Sequence, residues 1–331
     1  MDRRQWLLRA ATGAVGTGLA GLAVPAAWAQ SADWPRQSLH WIVPYPAGGG
    51  TDVLARTVAE AMRPALGQSV VIENKPGAST NIGAQQVATA KPDGYTVMSA
   101  DNAVLAFNAH LFSKLPFDPA KDFTFIGGIS RFPLVLVVHP AFPAQNVAQL
   151  LEMARAKPDA VNYASPGNGS PHHLAMELFK QRTGVQLTHV PYKGAAPAVA
   201  DVMAGQVPCM FLDLAAGLPL MQTGKVRALA TGSAQRLASL PEVPTLAEAG
   251  VQGVEVFAFQ GLLGPAGLPQ PVVQRLNAEL NKALASPAVV QRMKELSMES
   301  LAGTPAQFQQ MARAESQRWG EIIRQAGIKL D

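Results

Sequence analysis

Between residues 39 and 263 short apolar runs alternate with longer segments whose apolar positions recur every three or four residues. The short runs are 39–43, 69–73, 95–98, 123–129, 134–138, 162–164, 187–190, 207–212, 226–231 and 254–263. Their density of β-branched and aromatic residues predicts strands. Between them lie helical patterns, such as Leu54, Val58 and Met62 spaced four apart, which share one helix face. Helices also follow Asn81, Asn146, Pro171 and Gly194, and three more close the chain at 271–285, 287–296 and 305–326. Strands alternating with helices predict βαβ units and an α/β fold with mainly parallel sheets flanked by helices.

The chain is organised around Trp41-Ile-Val-Pro-Tyr-Pro-Ala-Gly-Gly-Gly-Thr-Asp52. Two prolines stop the first strand. The three glycines let backbone come close to a guest. Thr51 or Asp52 is expected to cap one N–H of the next helix, leaving others free at the positive end of its dipole. Ala47, Gly48, Gly49, Gly50, Thr51 and Asp52 therefore read as an anion cradle, the alternative being an ordinary strand-to-helix turn. A second Gly-rich loop follows the strand at 162–164. It contains Ser165, Gly167, Gly169 and Ser170, with Pro171 in a favoured first helical position behind Ser170 as cap. From Thr51 to Lys75 is 24 residues, and from Ser170 to Lys193 is 23. This echo predicts two similar lobes whose loops face each other across a cleft, since ligands of open parallel sheets bind beyond the C-terminal strand ends. Asn81, Asn102 and Asp213 stand at the same ends of their elements and join the candidates. The expected division is 30–133 plus 258–331 for lobe 1 and 134–257 for lobe 2, two crossovers that suit hinge closure.

The first thirty residues change the compartment. Arg3 and Arg4 head an Ala/Gly/Leu/Val stretch that ends in Ala27-Trp28-Ala29. This predicts a cleaved signal peptide over 1–29 and a periplasmic protein beginning at Gln30; Arg3-Arg4 resembles a twin-arginine signal, with Asp2 where Ser or Thr is usual, and both the Sec and the twin-arginine routes stay open. Removing Arg3, Arg4, Arg9 and Asp2 from 27 basic and 23 acidic residues leaves 24 and 22, a net charge of +2. No basic stripe with interleaved aromatics remains, so nucleic acid is not an expected partner. At 48% hydrophobic and 15% charged residues the 331-residue chain has the composition of a large folded core. Cys209 is the only cysteine, so no intrachain disulfide forms; its apolar run predicts a buried, inert thiol.

Six histidines are present, none with a His partner three or four positions away, and no metal or cofactor is expected. His172 and His173 both fall in the first turn after the second loop, and they cannot point the same way. His173 is the expected orienting donor toward the cleft. A hydrolase would need Ser165 or Ser170 with His173 and Asp213, but there is no Gly-x-Ser-x-Gly elbow, and Ser170 suits a helix cap. The residues hold a ligand without an evident means of transforming it.

Pro46-Ala-Gly-Gly-Gly-Thr-Asp52, Asn81-Ile-Gly83, Ser165-Pro-Gly-x-Gly-Ser-x-x-His173, Val190-Pro-Tyr-Lys-Gly194, Leu240-Pro-Glu-Val-Pro-Thr245 and Ala326-Gly-Ile-Lys329 together resemble the Bug-type (TctC) family. These are extracytoplasmic receptors of tripartite tricarboxylate transporters. The resemblance covers nearly the whole mature chain. It implies a two-lobed periplasmic-binding-protein (Venus-flytrap) fold, a monomer, a small carboxylate held largely by backbone groups between the lobes, and delivery to membrane permease subunits. Carried over by position are the loop Ala47 to Asp52, Asn81, and Ser165 to Ser170 with His173. Where the family has Gly-Gly before the asparagine of its second motif, this chain has Ser79-Thr80, which adds bulk or hydroxyl donors near the ligand. The alternatives are an exported Ser/His hydrolase and a receptor that presents its ligand to a sensor kinase.

Overall fold

The first apolar run forms β1 (Leu39–Val43), with β2 (Val70–Asn74) and β3 (Thr96–Asp101) parallel on either side. The computed structural model describes residues 34–331, so the expected leader and its cleavage point lie outside the described residues. α1 (Gly50–Leu66) crosses from β1 to β2, and α2 (Asn81–Ala88) from β2 to β3. α1 buries Leu54, Val58, Met62 and Leu66 along one stripe. Each such side chain taken fully from water contributes about 1.5–3 kcal/mol. Gly67, at φ 66°, ends the helix in a left-handed cap.

After β3 a π-helical turn (Ala103–Phe107) runs into α3 (Asn108–Leu111), and β4 (Phe123–Val138) follows. The two runs at 123–129 and 134–138 are thus one sixteen-residue strand. Next come α4 (Val147–Ala156), β5 (Asn162–Ser165), α5 (Pro171–Thr183), β6 (Thr188–Pro191), α6 (Ala195–Met203), β7 (Cys209–Asp213), α7 (Leu214–Gln222) and β8 (Arg227–Thr231). The chain closes with β9 (Phe257–Pro265), α8 (Gln270–Leu284), α9 (Pro287–Glu295), β10 (Glu299–Ser300) and α10 (Pro305–Ala326).

The strand order is β2-β1-β3-β9-β4-β7-β5-β6, with β8 and β10 also paired to β4. The order β2-β1-β3 is repeated as β6-β5-β7, all parallel within each set, so the sequence echo is a repeat of topology. The sheet is more mixed than the helix–strand alternation predicts. β9 lies antiparallel to β3 and β4, and β4 antiparallel to β7, β8 and β10. Local patterning specifies a strand; its direction follows from which edge it meets on return.

The two lobes meet on β4. Pro133 pairs with Phe257 of β9, and the next residue, Leu134, pairs with Asp213 of β7. A second pass runs beside the first: Leu134 N–H donates to Val256 O at 3.3 Å, Val256 N–H to Gly232 O at 2.8 Å, and Gly232 N–H to Leu134 O at 2.7 Å. These registers turn the C-terminal ends of β1 and β3 in one lobe, and of β5 and β7 in the other, toward this junction.

Candidate functional site

At the first loop the helix opens one turn-position earlier than expected. Gly49 is the N-cap, with no side chain capping it, and Gly50 is the first helical residue. The amides of Gly49, Gly50, Thr51 and Asp52 have no acceptor within the helix, as for any helix start. Gly48 takes φ 85°, where only glycine is unstrained. Ala47, Gly48 and Gly49 are exposed. Asp52 is buried and its carboxylate braces the loop from behind. It accepts from Gly48 N–H at 2.9 Å, from Arg56 Nε at 3.1 Å and from Asn74 Nδ2 at 2.9 Å. Asn74 also donates to Tyr45 O at 3.0 Å and accepts from Arg56 at 3.0 Å. Burial pushes the Asp52 carboxyl up, but Arg56, the Gly48 amide and Asn74 more than reverse this, and it lies below its ordinary value. Asp52 is therefore a brace, paired with Arg56, and no side chain caps the amides at the start of α1. Arg56 and Asn74 went unpicked in the sequence; the four-residue spacing of Asp52 and Arg56 was the available signal.

Asn81 opens α2 behind Ala78, Ser79 and Thr80, three successive residues at φ 46°, 51° and 76°. Asn108 ties this turn, donating to Ser79 O and to Asn81 Oδ1, both at 2.7 Å. Thr80 is buried and its hydroxyl donates to Ser79 O, so of the two hydroxyls only that of the exposed Ser79 faces outward. Tyr45 and Asp101 stand at the same ends of β1 and β3, the Tyr45 hydroxyl donating to the Asp101 carboxylate. Burial raises Asp101 above its ordinary value despite that bond and those from the Val104 and Ala103 amides. Asn102 is wholly buried, with both ends of its amide bonded to β9 backbone. It is a strand staple.

The second loop is braced by a buried stack. Ser165 is inaccessible; its Oγ lies 2.6 Å from His189 Nε2 and 3.1 Å from both Gly167 N and Gly167 O. Ser170 caps α5 as expected, accepting from His173 N–H at 3.3 Å, and its hydroxyl donates to Gly167 O at 2.7 Å. His173 turns inward: its Nδ1 accepts from Gly169 N–H at 3.1 Å, and its ring stacks on His189 with centroids 4.0 Å apart. Tyr163 stacks on His189 at 4.8 Å, with its centroid 6.3 Å from that of His173, and donates to Glu177 at 2.6 Å, which Lys180 also meets at 2.8 Å. Burial, helped by His189 and Lys180, lowers His173 to about 3; burial lowers His189 to about 4 against the pull of Glu177. Both rings are neutral at ordinary pH, which lets His173 Nδ1 accept. His189, the centre of this stack, carried no sequence signal, since β6 supplies it from another element.

Asp213 ends β7 and caps α7, accepting from Ala216 N–H at 2.9 Å. Burial raises its carboxyl, but His172, with Nε2 at 3.7 Å, and the Ala216 amide hold it below the ordinary value. The triad drawn for a hydrolase is not assembled: Ser165 meets His189, Ser170 meets the His173 backbone, and Asp213 meets His172. The serine closest to a histidine ring is closed to solvent. Among the described residues no hydrogen bond or ion pair joins the loop 46–52 to the loop 165–170. The second loop does touch lobe 1, since a Cβ on Gly169 would fall 2.7 Å from Leu111 and 2.9 Å from Leu330.

Comparison with known proteins agrees with this architecture. Residues 54–328 match the family described as tripartite tricarboxylate transporter family receptor. BugT of Bordetella pertussis is 36% identical over 313 residues, covering 94% of this chain and 95% of BugT. An R. palustris protein solved with adipate is 38% identical, with a TM-score of 0.82 over 90% of this chain and 99% of its own. MatC from Rhodopseudomonas palustris, solved with malate, is 32% identical, with a TM-score of 0.79 over 88% and 100%.

Proposed function

Because the chain belongs to the tripartite tricarboxylate transporter receptor family, we propose that it is an exported solute-binding protein. It captures a small organic anion, a carboxylate, in the cleft between its lobes and hands it unchanged to membrane permease subunits from the periplasm. The observation that carries this reading is the start of α1. Its amides are uncapped by any side chain, and the carboxylate of Asp52 is turned away and neutralised by Arg56. A helix N-terminus in that state favours a carboxylate guest. Relatives solved with adipate and malate support the ligand class. The lobes we assign are 30–133 plus 258–331 and 134–257, hinged where Pro133-Leu134 and Val256-Phe257 pass side by side. Among the described residues no helix is long and apolar enough to cross a membrane.

Gly49→Val tests the cradle. Gly49 has φ −75°, and an added Cβ would meet only Pro46 O, at 3.8 Å. The fold therefore admits valine there, while its branches occupy the space before the free amides. A calorimetric screen of di- and tricarboxylates identifies the tightest-binding acid. Gly49→Val should then lower its affinity ten- to a hundredfold, roughly the worth of one hydrogen bond to a charged group, with the apo Tm unchanged. Wild-type affinity in the folded variant would remove this loop from the site.

A further inference from the structure

His172 is nine-tenths buried, at 9% exposure, and neither ring nitrogen has a hydrogen-bond partner among the described residues. An imidazole always carries at least one N–H, so this is a buried donor held ready. It stands at the second position of α5, just past the Gly-rich loop, and reaches toward the end of β7. There Asp213 Oδ1 is taken by the Ala216 amide at 2.9 Å, which leaves Oδ2 facing His172 Nε2 at 3.7 Å. That gap is too long for a hydrogen bond and short enough for a small closing movement to make one. Asp213 pairs with Leu134, the first residue of β4 on the second-lobe side, so the pair sits where the lobes hinge.

Among the described residues the only ion-pair contact that reaches His172 is the one with Asp213. β7 adds the buried Cys209 thiol, which donates to Asn162 O, and β5 adds Tyr163, bonded to Glu177. α10 meets α5 through Ile322 O and the neutral Gln181. On α5 itself, His173, Glu177 and Lys180 belong to the inward stack.

We propose that His172 is the ligand-contacting side chain of the second lobe. As an imidazolium it bridges the Asp213 carboxylate and a carboxylate of the bound anion, and binding is accompanied by proton uptake. The proposal rests on the carboxylate-receptor reading above. The chemistry follows from the partners: a neutral ring that donates to one carboxylate presents only a lone pair to the other, whereas a ring carrying both N–H groups satisfies both. The added proton also cancels the repulsion between Asp213 and an anionic guest.

The experiment is calorimetry on the mature protein at pH 8 with the tightest acid of the screen, in buffers of different ionisation enthalpy. Wild type should take up close to one proton. His172→Gln should fold with an unchanged apo Tm, take up none, and bind at least tenfold more weakly. Asp213→Asn keeps a capping side chain and should also lose the uptake. Imidazole 15N shifts of His172 should move to the doubly protonated pattern on saturation. Wild-type affinity and proton uptake in His172→Gln, with unmoved His172 shifts in the wild type, would overturn this inference and leave the receptor reading standing. A wild-type protein that binds no carboxylate at all would overturn both.

Discussion

Asn102 and Phe259 are joined across the junction of β3 and β9: the Asn102 side-chain oxygen accepts from the Phe259 amide at 2.7 Å, while its nitrogen donates to Phe257 O at 3.2 Å. The side chain continues the ladder one step beyond Asp101, beside the stretch where β4 passes from β9 to β7. Asn102→Leu keeps the volume and strands two buried backbone groups. At about 1–3 kcal/mol for each, urea unfolding should show a loss of roughly 2–6 kcal/mol. Wild-type stability in this variant would mean that water or neighbouring backbone replaces the amide.

The histidine stack gives the protein an acid-sensitive brace. His173 and His189 are lowered to about 3 and about 4 in the folded state, against about 6.5 in an unfolded chain. The folded state thus binds fewer protons, so the contribution is fully present above pH about 6.5 and is lost as pH falls toward about 4 for His189 and about 3 for His173. Unfolding free energy should decline in that window by up to roughly 1.4 kcal/mol per pH unit for each histidine. His189→Gln should make the decline shallower. A wild-type profile that is level from pH 7 to pH 4.5 would contradict neutral burial of the two rings.

Ser79 occupies φ 51° without being glycine, and it is exposed, so its conformation is held by Asn108 on its carbonyl. A left-handed L-residue costs about 1–2 kcal/mol, and a glycine gives back about 0.5–1 through the freer unfolded chain. Ser79→Gly should therefore stabilise by about 0.5 kcal/mol, and Ser79→Val, branched at Cβ, should destabilise by more than about 1 kcal/mol. Thermal unfolding of the three proteins checks the order Gly above Ser above Val. Any other order would show that the turn does not keep this conformation in solution.

Much of the site was legible locally. Gly-rich loops between an apolar run and an amphipathic helix announce a strand, a close backbone approach and a helix start, all set by neighbours within a few positions. Ser170 as a cap and Leu54, Val58 and Met62 as an inner face needed no more than that. The doubling of β2-β1-β3 as β6-β5-β7 was visible as a repeated spacing. What escaped was which side chain meets which. Asp52 and Asn102 read as ligand groups because they sit at the right ends, yet their partners are Arg56, Asn74 and β9 backbone.

The sequence by itself determined most strands and helices and their alternation, the two Gly-rich loops, and the family, because each depends on short-range periodicity, turn chemistry or motif spacing; it missed α3, α7 and β10 and split β4 in two. Tertiary structure alone decided strand direction in the mixed sheet, the crossing point on β4, and the partners of the paired histidines. His173 faces inward because β6 brings His189 beneath it, while His172 faces Asp213 because β7 ends there. Those partners lie 16 and 41 residues away in the chain, and only closure of the sheet brings them within a few ångströms.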